Sequence, residues 1–287
     1  MDKITKAIIT CGGYATRFLP ITKAIPKEML PIVDKPIIHY IAEELSQAGI
    51  TDILILIGRG RECLQDYFDK HFELDSVIES KGLGYRLNSF ADLNITYRRV
   101  PLPRGAADNI WHAKSFAGDR PFIVAYCDDI FFDGNPTIEL INDFQKNKRP
   151  VISATEVSPG EERKYGIIKP GDDSLSELGL FRAAEDDGMT VEAIIEKPKS
   201  DPPSNLAACG RYLLLPEVFS LIEDEMLVKE QSGDQTEVCM TGVLNRVASG
   251  GGLRTRKTSG TRFDTGTPRG LFEANRYAFD KLDANGI

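Results

Sequence analysis

The first half of the chain alternates short apolar runs with segments whose apolar residues recur at helical spacing. Ala7 to Thr10 (AIIT) is an apolar run ending in Gly12-Gly13, a buried strand feeding a turn. Ile37 to Ala48 (IIHYIAEELSQA) keeps a helical period and stops at Gly49, a residue suited to closing a helix. Ile53 to Ile57 (ILILI) predicts a second buried strand and Glu62 to Phe72 a helix. Ile95 to Val100 predicts a third strand, Asn109 to Phe116 a helix, and Phe122 to Tyr126 (FIVAY) a fourth strand, ending at Cys127-Asp128-Asp129. Strands alternating with helices imply right-handed crossovers and a doubly wound, mostly parallel α/β sheet. Ligands bind such sheets at the carboxyl ends of the strands, so the glycine turn and the aspartate pair are expected to share one cleft.

The second half is less regular. Val151 to Val157, Gly166 to Lys169, Val191 to Glu196 and Gly210 to Leu215 read as extended, and are expected to add antiparallel strands that wall the pocket. Ser232 to Gln235 and Ser249 to Gly252 are turn-rich, and Arg269 to Leu282 carries apolar residues at helical spacing, an amphipathic helix. With no internal repeat, low-complexity tract or linker, the expectation is a single domain over 1–287. Its parts would be a nucleotide-side half over 1–150, a second half over 151–268 and a C-terminal helix over 269–287.

Composition narrows the partners. A net charge of −8 argues against nucleic acid or an anionic membrane as the main partner, although a nucleotide needs only a few well-placed cations. The five cysteines are odd in number, scattered and never in a C-x-x-C pair, which suits a reducing compartment and offers no zinc site. The N-terminus reaches a polar glycine turn too soon for a signal peptide, and no apolar run could span a bilayer, so a cytoplasmic protein is expected. His39, His71 and His112 lie apart on helical stretches and read as structural or surface residues.

Chemistry concentrates in Cys11 to Pro31 (CGGYATRFLPITKAIPKEMLP). A glycine turn after a strand can bring backbone N–H groups against phosphate oxygens, and Arg17, Lys23 and Lys27 add positive charge nearby. The pattern is neither a P-loop nor a complete G-x-G-x-x-G, and an ordinary turn with solvated cations fits it equally well. Asp128-Asp129 alone could be a strand-ending turn, Asp264 a turn residue, and Lys197 a solvated loop lysine. A strand-end aspartate facing a cleft is expected to contribute little to the core.

Thr16 to Pro36 (TRFLPITKAIPKEMLPIVDKP) closely resembles the signature of bacterial UTP–glucose-1-phosphate uridylyltransferases, sugar-phosphate nucleotidyltransferases with a Rossmann-like fold. The resemblance continues in order through Phe72 to Glu79, Tyr165 to Ile168, Glu196 to Pro198, Pro203 to Ala207, Gly210 to Leu214 and Phe263 to Gly266 (FDTG), nearly the whole chain. It implies UTP and glucose 1-phosphate as substrates, and Asp128 and Asp264 as ligands of Mg²⁺, which favours hard oxygens. It further implies Arg17, Lys27 and Lys197 as the cations that act on the phosphates. Gly12, Gly13, Tyr14, Ala15, Thr16, Gly105 and Ala106 would lie beside the nucleotide. Asp129, Tyr165, Gly166, Glu196, Lys197, Gly210 and Arg211 would hold or brace the sugar phosphate. A homo-oligomer is also expected.

Three departures fall on the nucleoside side. Ala15 replaces the second glycine of the family's G-x-G-T-R loop, tolerable only if that position does not need a positive φ. Arg104 to Asn109 (RGAADN) stands where the family has K-G-L-G-H-A, and Val100 stands where a glutamine reads the pyrimidine edge. Valine cannot offer the paired donor and acceptor of an amide, so loosened base recognition is expected, and the same chemistry with dTTP, CTP or another hexose 1-phosphate, or a weakly active nucleotide-sugar-binding regulatory paralogue, stays open.

Overall fold

The computed structural model describes residues 3–82, 90, 92–102, 104–171 and 188–284. Its strands are β1 (Lys6–Cys11), β2 (Pro31–Ile32), β3 (Lys35–Pro36), β4 (Asp52–Ile57), β5 (Asn94–Arg99), β6 (Phe122–Tyr126), β7 (Asp129–Phe132), β8 (Val151–Glu156), β9 (Gly166–Pro170), β10 (Met189–Glu196), β11 (Leu206–Leu214), β12 (Arg254–Lys257) and β13 (Thr261–Asp264). Its α-helices are α1 (Ile37–Gln47), α2 (Glu62–Phe68), α3 (Phe72–Ser80), α4 (Ala106–Trp111), α5 (Lys114–Ala117), α6 (Pro136–Asn147), α7 (Val218–Ser232), α8 (Met240–Ser249) and α9 (Pro268–Ala284).

Nine strands form one sheet in the order β5-β4-β1-β6-β11-β8-β12-β10-β9, which runs through both halves of the chain. The four strands read from the first half are mutually parallel, with Ile9 opposite Ile55 and Ala125. Beyond β6 the sheet is mixed: β11 runs antiparallel to β6 and β8, and β10 antiparallel to β12 and β9, while β8 and β12 are parallel. The α/β expectation is met, and the sheet is mixed where a mostly parallel one was expected.

Strand alternation decides the two cores, because successive side chains point to opposite faces. Ala7, Ile9 and Cys11 pack with Ile53, Ile55, Ile123 and Ala125 against Ile38, Ile41 and Leu45 of α1. Ile8, Leu54, Leu56 and Val124 pack on the other face against Ile110, Phe219, Val243 and Leu244 from α4, α7 and α8. Each of the fully buried Ile, Leu, Val and Phe side chains among these stabilises the fold by about 1.5–3 kcal/mol relative to exposure.

Several boundaries differ from the sequence reading. The helix expected over Glu62–Phe72 ends at Phe68, where Asp69 turns extended, and a separate α3 follows with the His71 ring accepting from the Leu74 N–H. The helix expected over Asn109–Phe116 starts three residues earlier and divides into α4 and α5. The C-terminal helix matches its expected position and begins at Pro268, a residue at home in a first turn. α6 was not foreseen, although Asn135 caps it by accepting from the Ile138 N–H and Pro136 opens it. After the glycine turn come three short 3₁₀ turns, Thr16–Phe18, Ile21–Lys23 and Lys27–Met29, and no α-helix; Pro20 and Pro26 restrict the backbone there.

Candidate functional site

Asp128 lies in the two-residue turn between β6 and β7, and Asp264 closes β13. The two meet because β13 pairs antiparallel with β7, placing Asp264 opposite Asp129, and because the Thr265 N–H and hydroxyl both donate to the Asp128 carbonyl. Gly266 leaves room between them: a side-chain carbon there would lie 2.9 Å from Asp128 Oδ2 and 3.0 Å from Asp264 Oδ1. Two carboxylates converging on a space that only glycine keeps open form a hard-oxygen donor set suited to a divalent cation that keeps part of its shell for phosphate and water.

Charge at this point is unbalanced in a way that fits such a cation. Burial, then the Asp129 and Asp128 charges, raise the Asp264 carboxyl above its ordinary range, against the opposing pull of Arg262. Burial also opposes ionisation of Asp128, but the Lys27 ammonium outweighs it by charge and by a 2.6 Å hydrogen bond, holding Asp128 below the usual range. Asp128 is therefore half of an ion pair whose lysine is largely buried and whose carboxylate is one-third exposed, so its loss also strips the Lys27 ammonium of this partner, a cost to the fold beyond that of an isolated strand-end aspartate.

All but Arg211 of the residues expected on the sugar side line a cleft of about 350 Å³ that also reaches Asp128 and Asp264. Arg17 and Lys197, far apart in the sequence, both line it, and the Lys197 ammonium lies 3.4 Å from Glu196 Oε1. Tyr165 joins Asp264 through a 3.4 Å hydrogen bond from its hydroxyl, and Glu196 accepts from the Thr241 hydroxyl at 2.8 Å. Gly166 and Gly210 form part of the wall.

Two of the residues expected on the sugar side have their polar groups engaged within the protein. Asp129 lines the cleft, and its carboxylate accepts from the Gly210 N–H at 2.6 Å and from the Arg262 guanidinium at 2.7 Å. Arg211 is fully buried and does not line the cleft: its Nε and Nη2 each meet Glu44 at 2.9 Å, while its other donors reach the carbonyls of Tyr126, Asp129 and Gly210. Arg211 braces the pocket from beneath.

Sequence reading missed Arg262, Glu237 and Arg61. Arg262 stacks over the Tyr165 ring at 4.8 Å and lines the cleft; its signal was present, since Arg262 and Asp264 sit two residues apart on one strand. Glu237 follows a turn-rich segment that carries no chemical pattern, yet it lines the cleft from the far side. Arg61 donates to the carbonyls of Cys11 and Gly13, and so fixes the glycine turn. Its guanidinium lies 3.8 Å from the fully buried Glu28, beside Cys11 and Cys127. That Cys11–Glu28–Cys127 group is no better suited to a metal than the aspartate pair: the nearby cation repels one, and burial, then Cys127, raise the Cys11 thiol.

On the nucleotide side the cleft continues past Asp128, Ala106 and Tyr126 to the glycine turn, and from Gly12, Tyr14 and Asn109 into a further cavity walled by Val100 and Pro101. Gly13 and Gly105 line its middle section, and Thr16 opens the first 3₁₀ turn beyond it. Gly105 has φ +117°, and a side chain there would come within 2.5 Å of the Val238 carbonyl, to which the Ala107 N–H donates. Ala15 does have a positive φ, 51°, so the chain accepts a left-handed alanine costing about 1–2 kcal/mol where the family has glycine. Among the other departures, Arg104 and Asp108 pair at 2.9 Å, so those two changes fit each other, and Ala107 lies in the core. All five cysteines are free.

The profile of the nucleotidyl transferase family matches residues 6–281. The UTP–glucose-1-phosphate uridylyltransferase 2 of Streptococcus pyogenes serotype M3 is 36% identical over 284 residues, covering 96% of this chain and 90% of its own length. The UTP–glucose-1-phosphate uridylyltransferase of Staphylococcus epidermidis is 40% identical over 277 residues, covering 94% and 91%. A UDP-glucose pyrophosphorylase solved in complex with UDP-glucose superimposes with a TM-score of 0.82 at 31% identity, over 97% of this chain and all of that one.

Proposed function

Because the chain belongs to the nucleotidyl transferase family, we propose that it transfers the uridylyl group of UTP to glucose 1-phosphate, giving UDP-glucose and pyrophosphate. The observation that carries this reading is the convergence of Asp128 and Asp264 on Gly266, beside Arg17, Lys27 and Lys197, in a cleft that continues to the glycine turn.

The phosphate oxygen of glucose 1-phosphate is already anionic and attacks the α-phosphorus of UTP while pyrophosphate leaves on the opposite side; no general base is required. Catalysis then consists of positioning and charge neutralisation. Lys197 and Glu196 would hold the sugar phosphate, Arg17 would steady the departing pyrophosphate, and Lys27 would face the transferred phosphate from Asp128. Asp128 and Asp264 would hold Mg²⁺, which when bound would neutralise phosphate charge. Arg262 and Arg211 act through others, by fixing Asp129 and the β7 strand. A cytoplasmic location and a homo-oligomer complete the reading; among the described residues no helix is long and apolar enough to cross a membrane.

Pyrophosphate release measured across UTP, dTTP and CTP with several hexose 1-phosphates tests the substrate pair. UTP with glucose 1-phosphate is expected to be fastest. With Val100 in place of an amide and the thymine methyl unopposed by a polar partner, dTTP is expected to follow within about a thousandfold in kcat/KM. Another hexose 1-phosphate surpassing glucose 1-phosphate would reassign the sugar site.

A further inference from the structure

Two neighbouring strands of the sheet end in cysteines that face each other. Parallel β1 and β6 put Thr10 opposite Tyr126, and the next residue on each side is Cys11 and Cys127. Both belong to the core that packs on α1, and their sulfurs lie within 4.8 Å of one another. Neighbouring strands run about 4.8 Å apart, inside the roughly 4.4–6.8 Å of Cα separation that a disulfide bridges. Cys11 has no exposed surface, but Cys127 lines the cavity on the nucleotide side, beside Lys27 and Asp128. A small solute in that cavity therefore meets one sulfur of the pair. From the two cysteines the chain runs directly into Gly12-Gly13 and into Asp128, so a link between them ties the glycine turn to the aspartate turn.

We propose that Cys11 and Cys127 are an oxidative modification site, joined by hydrogen peroxide in a reversible disulfide that slows turnover. The Cys127 sulfur attacks one peroxide oxygen, an S–O bond forms as the O–O bond breaks, and the thiol proton leaves in a first water. The Cys11 sulfur then attacks the Cys127 sulfur, the S–S bond forms as the S–O bond breaks, and a second water leaves with the Cys11 proton. Two thiols are oxidised and one peroxide is reduced. Burial, then Cys127, raise the Cys11 thiol, which leaves the first attack to Cys127. The bond also removes the Cys127 thiol that donates to Glu28 at 3.5 Å. Glu28 shares a 3₁₀ turn with Lys27, whose ammonium pairs with Asp128, so the disturbance reaches the metal-side carboxylate. The site stands apart from the uridylyl-transfer reading; only its effect on turnover rests on that reading.

Hydrogen peroxide treatment of the wild-type protein tests this, read by peptide mapping and by pyrophosphate release from UTP and glucose 1-phosphate. Of the five free thiols, Cys11 and Cys127 should be lost together as a peptide joining them appears. The rate should fall in step with that peptide, by roughly tenfold or more, because small misplacements beside reacting groups cost that much. Dithiothreitol should return both thiols and the rate. Cys11→Ala should form no such link and keep most of its own untreated rate through the same treatment. If that variant does not fold, mapping of the wild type still decides. Oxidation of Cys63 or Cys239 with no Cys11–Cys127 peptide would overturn the proposal. So would linked protein of full activity, or a loss of rate that follows oxidation of Cys239, which lines the same cleft as Asp128. If untreated wild type releases no pyrophosphate, the uridylyl-transfer reading fails instead, and the linked peptide alone decides for or against the site.

Discussion

Asp264 carries its charge against the preference of its surroundings. Its raised pKa means that the protonated form is favoured by folding: the associated stability is full below the ordinary carboxylate range and is lost as pH rises through the raised value. At neutral pH the ionised group therefore weighs against the fold. Asp264→Asn should accordingly raise Tm at pH 7 without metal, while abolishing turnover and the rise in Tm that Mg²⁺ gives the wild type. A variant less stable than wild type, or still stabilised by Mg²⁺, would remove Asp264 from the metal site. Asp128 has the opposite sign, its depressed pKa giving stability above the ordinary carboxylate range that disappears as pH falls through the lowered value. Lys197 is the clearest test on the sugar side. Its exposed ammonium contributes little to stability, and Lys197→Ala should raise KM for glucose 1-phosphate by the equivalent of about 1.5–3 kcal/mol, with UTP binding nearly unchanged. Collapse of UTP binding with an unaltered sugar-phosphate KM would show the role to be misassigned. At this scale the sequence was most informative where a motif named the residue, as at Asp128 and Asp264. It was silent on partners: nothing in Asp129 or Arg211 announces that their groups are satisfied internally.

Among the elements, β11 and α1 are tied together by Arg211 and Glu44, and the same guanidinium holds the turn between β6 and β7. With both partners almost wholly buried, Arg211→Ala leaves Glu44 uncompensated and should cost about 3–5 kcal/mol in urea unfolding. Replacing both residues with apolar ones of similar volume should recover much of that loss. A variant of wild-type stability with a raised KM for glucose 1-phosphate would return Arg211 to the sugar pocket. Strands β1, β4 and β6 were legible because buried parallel strands are nearly continuous apolar runs. The two-stranded pairing of β7 with β13 was not, because neither strand is longer than four residues, yet it is what joins the two aspartates. Local patterns mark strands; they do not mark which distant strand completes a site.

At the scale of the molecule, one mixed sheet carries the residues proposed for the nucleotide at the ends of β1 and β6 and those proposed for the sugar phosphate on β9, β10 and β11, around connected cavities. The most direct measurement is product formation by wild-type protein given UTP, glucose 1-phosphate and Mg²⁺, with UDP-glucose and pyrophosphate quantified together. The account predicts equal amounts of the two products, formed only when both substrates are present and absent with the folded Asp264→Asn variant. UTP consumption independent of glucose 1-phosphate, or UDP-glucose formed at the wild-type rate by that variant, would contradict it.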